Sequence, residues 1–198
     1  ILKNINLEIK KGSTVLIKGP TGSGKSTLGN IIIGLLDPTK GQLFVDDILL
    51  NSQNKTAWQK NISIIPQSIF LNDVSIAENI AIGVDPKKIN LEKVKNAAKQ
   101  AQIADFIESI PNQYEEKVGE RGIRLSGGQR QRIGIARALY REAKIILFDE
   151  ATNQLDIDTE SLVMQSINNL NKEITIIFIA HRLSILKNCD QIVDLTKL

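Results

Sequence analysis

The sequence has one cysteine, one histidine and no marked excess of either charge, and each scarcity excludes something. Cys189 has no second cysteine to pair with, so an internal disulfide is excluded and a packing role is the simplest interpretation. The net charge of +3 is the balance of 25 lysines and arginines against 22 aspartates and glutamates, and the lysines and glutamates are scattered along the chain. Because nucleic-acid binding usually requires a clustered basic face, we expect no nucleic-acid partner.

Long apolar runs are also missing. The longest run covers residues 174–180, whereas a membrane-spanning helix needs about 18 apolar residues. The chain opens on an alternating apolar pattern and shows no cleaved signal sequence. Apolar residues make up 42% of the chain and charged residues 24%, so we expect a single soluble globular domain.

What the sequence does contain is an alternation of strand and helix patterns. Helices are expected at residues 26–36 and 157–170, and a short hairpin or edge-strand region at residues 42–50. Strands are expected at residues 5–9, 14–18, 62–65, 145–148, 174–179 and 191–195. This order predicts an α/β fold with a mostly parallel sheet and an antiparallel β region near the N-terminus.

Residues 72–139 differ from the rest, because their apolar positions recur only at helical spacing. We therefore predict an inserted α-helical subdomain at 72–139. Residues 1–71 and 140–198 would form the α/β core around it, within one domain.

Residues 19–26 read Gly-Pro-Thr-Gly-Ser-Gly-Lys-Ser and match the pattern G-x-x-x-x-G-K-[ST] between a strand and a helix. Such glycines let backbone N–H groups surround phosphate oxygens, and the helix N-terminus adds positive charge. Lys25 is expected to reach the β- and γ-phosphates of ATP, and the Ser26 hydroxyl to ligate Mg²⁺. The alternative is a tight turn with a stray lysine. The predicted ATP-binding residues of this P-loop NTPase core are Gly19, Thr21, Gly22, Ser23, Gly24, Lys25, Ser26 and Thr27.

Two carboxylates, Asp149 and Glu150, follow the apolar strand at 145–148. Ligand sites of open α/β sheets form at this carboxyl end of the strands. Asp149 is expected to hold Mg²⁺ through water, and Glu150 to orient and deprotonate the water that attacks ATP. The alternative is a helix-capping pair.

Two further side chains follow strands of the same predicted sheet. His181 comes after the strand at 174–179 and is expected to hydrogen-bond the γ-phosphate, although a lone histidine is more often structural. Gln67 follows the strand at 62–65, and its amide oxygen is expected to ligate Mg²⁺ and to sense the γ-phosphate.

The stretch Leu-Ser-Gly-Gly-Gln at 125–129 precedes an amphipathic helical run. It predicts a second helix N-terminus suited to an anion, formed by Ser126, Gly127, Gly128 and Gln129. The two anion-binding helix starts need not meet in one monomer.

Taken together, these motifs resemble the ATP-binding cassette (ABC) ATPase family over essentially the whole chain. The resemblance implies a head-to-tail dimer that closes on two ATP molecules, each held by one subunit's residues 19–26 and the other's 126–129. It also implies that Asp156, in the Asn-Gln-Leu-Asp loop at 153–156, lies at the subunit contact, and that His181 is the family's histidine switch.

Residues 118–122, Val-Gly-Glu-Arg-Gly, look like the loop of exporter cassettes that touches the membrane domain. The alternative is that Glu120 and Arg121 are surface charges in a turn. The segments 66–71 and 75–80 are likewise similar to exporters. The resemblance implies a membrane domain fused before residue 1 and a place on the cytoplasmic face of the plasma (inner) membrane. The chain departs from the family at Lys117, where a glutamate is common, and at residues 153–154. The aromatic residue that stacks on adenine would precede Ile1, and Tyr114 and Tyr140 are poor substitutes.

Three alternatives remain open at this level. A non-transport ABC ATPase of repair would carry coiled coils and one of translation would carry two cassettes, neither of which this chain contains. An importer subunit would lack the loop at 118–122. A regulator without turnover would be expected to lose Glu150 or His181.

Overall fold

The computed structural model describes residues 2–150, 157–168, 170, 173–180 and 189–196, with side chains from residue 160 onward in the helix at 157–168. The chain divides into two compact units. The first comprises residues 1–64, 143–150 and 172–198, and the second comprises residues 65–142 and 151–171. No helix within the described ranges is long and apolar enough to cross a membrane.

Seven strands occur in the described residues. They are β1 (Thr14–Lys18), β2 (Phe44–Val45), β3 (Ile48–Leu49), β4 (Ile62–Pro66), β5 (Ile145–Asp149), β6 (Thr175–Ile179) and β7 (Gln191–Asp194). Five of them form one sheet in the order β4-β5-β6-β1-β7, and β1 and β5 each pair with β6 in parallel. The prediction of a mostly parallel sheet is confirmed, and these five strands lie within one residue of their predicted bounds.

The middle of the sheet is buried on both faces. All five residues of β6 are buried, and Phe178 stacks on Phe148 of β5 with 4.9 Å between ring centroids. A strand covered on both faces needs a continuous apolar run rather than an alternating one, which is what residues 175–179 supply. The sheet thus fixes the carboxyl end of β5, where Asp149 lies opposite Ile179.

The predicted strand at residues 5–9 is wrong. Its alternation is real, because Ile5, Leu7 and Ile9 pack half-buried against the core while the residues between them are exposed. A strand also requires backbone hydrogen bonds to a neighbour, and residues 5–9 make none to any other described segment. The alternation predicted which side chains are buried, but it does not by itself make a ladder.

The predicted hairpin at 42–50 is confirmed as the antiparallel pair β2–β3, in which Phe44 lies opposite Leu49. Asp46 and Asp47 at its turn have φ values of 46° and 63°. Two positive values in succession are typical of a type I′ turn, whose twist matches that of the strands, and aspartate tolerates this conformation.

The first helix of the unit is shorter than predicted. Helix α1 (Lys25–Ile32) ends before residue 36, because Gly34 adopts a left-handed conformation with φ of 71°. The short helix α2 (Lys55–Gln59), which the sequence did not predict, is hydrogen-bonded to the C-terminal end of α1. The Trp58 indole N–H donates to the Ile32 carbonyl at 2.8 Å, and the Gln59 amide donates to the Gly34 carbonyl at 2.9 Å.

The second unit is helical. Its helices are α3 (Ile76–Ile80), α4 (Leu91–Gln100), α5 (Ala104–Ser109), α6 (Gly127–Tyr140) and α7 (Ile157–Asn168). Three 3-10 turns occur at Pro86–Lys88, Gln113–Glu115 and Glu120–Gly122. Residues 72–139, all of which are described, contain no strand beyond a single bridge between Ser75 and Lys117. The unit begins at residue 65 and includes α7, so the boundaries at 72 and 139 stay a prediction.

Candidate functional site

The phosphate loop (residues 19–26) connects β1 to α1. Gly24 is the residue before the helix and has φ of 96°, a conformation in which a residue with a Cβ is strained. No side chain caps this helix start, and its first turn contains no acidic residue. The first-turn N–H groups of α1 therefore face their surroundings with a partial positive charge and no competing carboxylate, as anion binding requires.

Lys25 supplies a full positive charge inside the loop. Its side chain is buried, with 5% exposure, and its ammonium donates to the carbonyls of Gly19 and Pro20 at 3.0 Å each. Burying a cation costs folding free energy unless the cation is hydrogen-bonded, and these two loop carbonyls accept its hydrogen bonds. The charge is thereby placed before any ligand arrives.

The phosphate loop is tightly packed at Gly19. A Cβ on Gly19 would lie 2.6 Å from the Ser23 hydroxyl oxygen and 3.2 Å from the Leu195 Cβ. The Ser23 hydroxyl is one of three described side-chain atoms that are buried without a hydrogen-bond partner. An unsatisfied hydroxyl in the loop before an uncapped helix start fits a phosphate oxygen, which accepts hydrogen bonds.

Asp149 and Glu150 stand at the carboxyl end of β5. The Glu150 backbone has φ of 51°, and its N–H donates to the Ile179 carbonyl of β6 at 2.9 Å. Burial raises the pKa of the Asp149 carboxyl, the neighbouring Glu150 raises it further, and the positive charge of Lys25 opposes both. These three side chains therefore form one electrostatic cluster in the first unit.

This cluster suits a magnesium–phosphate ligand. Mg²⁺ in phosphate-transfer sites is usually held by one or two carboxylates together with the substrate's own phosphates. Asp149 is half-buried at the carboxyl end of β5, and Ser26 is exposed at the start of α1. Both supply hard oxygen ligands of the type that Mg²⁺ prefers, so the residues present fit the ion.

The stretch at 125–129 forms the start of α6 in the second unit. Ser126 precedes the helix and accepts a hydrogen bond from the Gln129 N–H at 3.2 Å, while the Gln129 side chain accepts from the Ser126 N–H at 2.7 Å. This reciprocal capping box fixes the entry into the helix. The first turn contains no acidic residue, and Ser126 is exposed, so the predicted anion-binding start is accessible.

The remaining predicted residues stand as follows. Gln67 directly follows β4, is exposed, and belongs to the second unit. Asp156 and His181 lie outside the described residues, and their roles stay predictions. Among the first-unit residues, Lys25 and Glu150 both act electrostatically on the pKa of Asp149.

Sequence reasoning missed Arg137, which hydrogen-bonds the segment after Gln67 from within α6. Its guanidinium donates to the Asn79 carbonyl at 2.9 Å and to the Phe70 carbonyl at 3.3 Å. Burial lowers the pKa of Arg137 below the ordinary value for arginine. The available signal was an arginine within the apolar run Ile133 to Ala138, because a charge there needs partners.

A glycine-rich loop that joins a buried parallel strand to an uncapped helix, with a buried lysine near two strand-end carboxylates, defines a P-loop nucleoside triphosphatase. A sequence profile described as ABC transporter matches residues 2–153. The chain therefore belongs to the ABC transporter family.

Similar proteins come from animals and from bacteria. The chain is 43% identical to ATP-binding cassette sub-family B member 5 of Mus musculus over 195 residues, 98% of the chain and 16% of that protein. It is 41% identical to the β-(1→2)glucan export ATP-binding/permease protein NdvA of Rhizobium etli, covering 98% of the chain and 33% of that protein. It is 39% identical to the ATP-dependent lipid A-core flippase of Pasteurella multocida, covering 96% of the chain and 33% of that protein.

A solved structure of a bacterial Atm1-family ABC exporter with ATP bound matches with a TM-score of 0.82 and 39% identity, covering 96% of this chain and 33% of that one. The chain thus spans a third or less of these relatives. It corresponds to their ATP-binding cassette, a domain that binds and hydrolyses ATP.

Proposed function

We propose that this cassette powers an exporter by closing as a head-to-tail dimer on two ATP molecules and reopening after hydrolysis. The observation that carries the proposal is the arrangement in the first unit, where an uncapped helix start, a buried Lys25 and the carboxylates of β5 belong to one cluster. Binding energy for ATP, rather than covalent chemistry, would drive the closure.

Phosphate binding belongs to the loop and the helix that follows it. The first-turn amides of α1 and the Ser23 hydroxyl donate to phosphate oxygens, and Lys25 exchanges its bonds to loop carbonyls for the β- and γ-phosphates. Ser26, Asp149 and Gln67 are the proposed Mg²⁺ ligands, with Asp149 acting through water. The ion, when bound, neutralises charge that develops on the phosphates.

Hydrolysis is assigned to Glu150, which orients the attacking water and accepts its proton. Its carboxylate extends from the carboxyl end of β5, and its backbone N–H is tied to β6. His181 is proposed to hold the γ-phosphate and the water in place.

The second half of each site is proposed to come from another copy of the cassette. The start of α6, with Ser126, Gly127, Gly128 and Gln129, would bind the γ-phosphate of the partner's ATP. The accessible capping box and the absence of acidic residues in its first turn support this role. Asp156 would lie at the subunit contact beside both sites.

We further propose that the membrane partner is a transmembrane domain, fused before residue 1 in the native protein as in the exporters that this chain resembles. The cassette would then work at the cytoplasmic face of the plasma (inner) membrane. Residues 118–122 and the exposed Phe70 are the proposed contact points, and Phe70 is 61% exposed.

The experiment that tests this function replaces Glu150 with Gln. Losing the general base should lower the hydrolysis rate about 10²–10⁴-fold. Because ATP binding does not need the base, Glu150→Gln should accumulate as an ATP-dependent dimer, measured by analytical ultracentrifugation with Mg²⁺ and ATP.

Glu8→Gln is the matched control, because Glu8 is an exposed glutamate outside the site in the same unit. It should keep the parent rate and form no stable dimer. Hydrolysis by Glu150→Gln at the parent rate would show that another group is the base.

A further inference from the structure

The segment after Gln67 is held by α6 through a partly buried arginine. The Arg137 Nε donates to the Asn79 carbonyl at 2.9 Å, and both terminal nitrogens donate to the Phe70 carbonyl at 3.3 Å. None of the ion pairs found among the described residues includes Arg137. Its charge is therefore satisfied by carbonyls of this segment, and these bonds are worth more than neutral ones.

Two glycines allow the same segment to approach still more closely. A Cβ on Gly134 of α6 would lie 2.8 Å from the Ile69 Cδ1, and a Cβ on Gly122 would lie 2.7 Å from the Leu71 Cδ1. Ile69 and Leu71 are 8% and 0% exposed, whereas Phe70 between them is 61% exposed. Residues 69–71, which we call the strap, are thus packed on α6 and on the loop at 118–122 while presenting one ring outward.

Buried polar groups fix the far side of the strap. Asn79 is 1% exposed, and its amide donates to the carbonyls of Asn72 and Ser75 at 3.0 and 3.1 Å. The backbone at 74–76 pairs with residues 116–118, through Ile76 N–H to the Glu116 carbonyl at 3.0 Å and Val118 N–H to the Val74 carbonyl at 3.3 Å. The strap, the segment at 116–122 and α6 therefore share one continuous set of contacts inside the second unit.

We propose that Arg137 is a positioning residue that ties the strap to α6, so that a displacement of Gln67 and Phe70 is carried to Ser126 at the start of the same helix. This inference rests on the proposed function, because it assumes that Gln67 and Ser126 both serve ATP. Arg137 and Ser126 are separated along α6 by 11 residues, about 16 Å of continuous helix. A packed helix moves as a rigid body, so the hydrogen bonds of Arg137 near one end of α6 help to fix the position of Ser126 at the other end.

The test replaces Arg137 with Met, which keeps the aliphatic stem and removes the donors. Arg132→Met is the matched control, because Arg132 lies on the same helix but donates to the Gln102 carbonyl at 2.8 Å instead. The rate of amide exchange at Asn72 and Ile76 should rise about tenfold in Arg137→Met, because the segment after Gln67 loses its charge-assisted hydrogen bonds to α6. Exchange at Val94 and Ala101, at the two ends of α4, should stay at the parent value in Arg137→Met.

The functional readout separates positioning from folding. In Arg137→Met we expect kcat for ATP hydrolysis to fall about tenfold, since misplacement by a fraction of an ångström is enough, while the Kd of the monomer for ATP stays unchanged. Arg137→Lys keeps the charge but lacks the planar guanidinium, so its kcat should lie between those of the parent and Arg137→Met. If Arg137→Met matches Arg132→Met in both exchange and kcat, the inference is wrong.

A second pair of variants tests the strap from its apolar side. Gly134→Ala places a methyl against the Ile69 Cδ1 and should lower kcat several-fold, and adding Ile69→Val, which lacks that atom, should restore much of it. Failure of Ile69→Val to restore any activity would count against the contact. If exchange responds as expected but the parent chain neither hydrolyses ATP nor dimerises, the proposed function fails and the tie stands.

Discussion

At the scale of single residues, several residues of the site adopt arrangements that are locally unfavourable for folding. Lys25 is buried with only two carbonyls as its hydrogen-bond partners, the Ser23 hydroxyl is buried without one, and Glu150 has a positive φ. The first two features are unfavourable in the folded chain alone and become favourable when a phosphate accepts hydrogen bonds from these groups, whereas the positive φ of Glu150 is a backbone cost at the end of β5. Strain concentrated in one loop and one strand end is typical of a site that is organised before its ligand binds.

Asp149 carries such a cost, which leads to a stability prediction. Its pKa is raised in the folded state, so the folded form holds the proton more tightly and its ionisation destabilises the fold. This penalty is absent at low pH and grows as pH rises from the ordinary aspartate value through the raised one. At pH 7 it is fully present.

Asp149→Asn should therefore raise Tm at pH 7 by roughly 1–3 °C in EDTA, and the gain should vanish near pH 3. The same variant should lose Mg²⁺-dependent hydrolysis. Thermal unfolding of both proteins from pH 3 to pH 8 provides the measurement. A Tm gain that is equal at both extremes of pH would contradict the electrostatic explanation.

At the scale of elements, the start of α6 combines two roles that can be separated. Ser126 caps the helix together with Gln129, and it is also the proposed ligand of the partner's ATP. Ser126→Ala should lose about 1 kcal/mol of stability with the cap, and hydrolysis should fall as well.

Asn90→Ala is the control for this prediction. Asn90 caps α4 by accepting from the Lys93 N–H at 3.0 Å, and it has no proposed contact with ATP. It should cost a similar amount in denaturant unfolding and leave kcat at the parent value. Equal loss of kcat in both variants would mean that Ser126 acts through stability only.

Elements also show how far sequence reasoning reaches. The apolar runs of β1, β5 and β6 were predictable because burial on both faces leaves no other composition. The strand at residues 5–9 was not, because hydrogen-bonded pairing depends on a partner that periodicity does not reveal. The end of α1 was not predictable because it depends on the left-handed conformation of Gly34. The hydrogen bond from Trp58 to Ile32 was not predictable because it joins residues far apart in sequence.

At the scale of the whole molecule, the phosphate loop and the carboxylates of β5 belong to one unit, and Gln67 and the start of α6 belong to the other. The sequence motifs pointed to the first group, because each of its segments directly follows a strand. The contact between Arg137 and the strap was not predicted, because Arg137 binds backbone carbonyls, which every residue type supplies. The central claim is that a complete site needs two copies of the chain.

Mixing two inactive variants tests this claim most directly. Lys25→Ala lacks the phosphate-binding charge and Ser126→Arg blocks the start of α6, so each alone should hydrolyse no ATP. A mixed head-to-tail dimer pairs the intact loop of one chain with the intact helix start of the other. An equimolar mixture should therefore regain about a quarter of the parent rate, since half of random dimers are mixed and each has one intact site. A mixture that stays as inactive as its components, beside an active parent, would contradict the shared site.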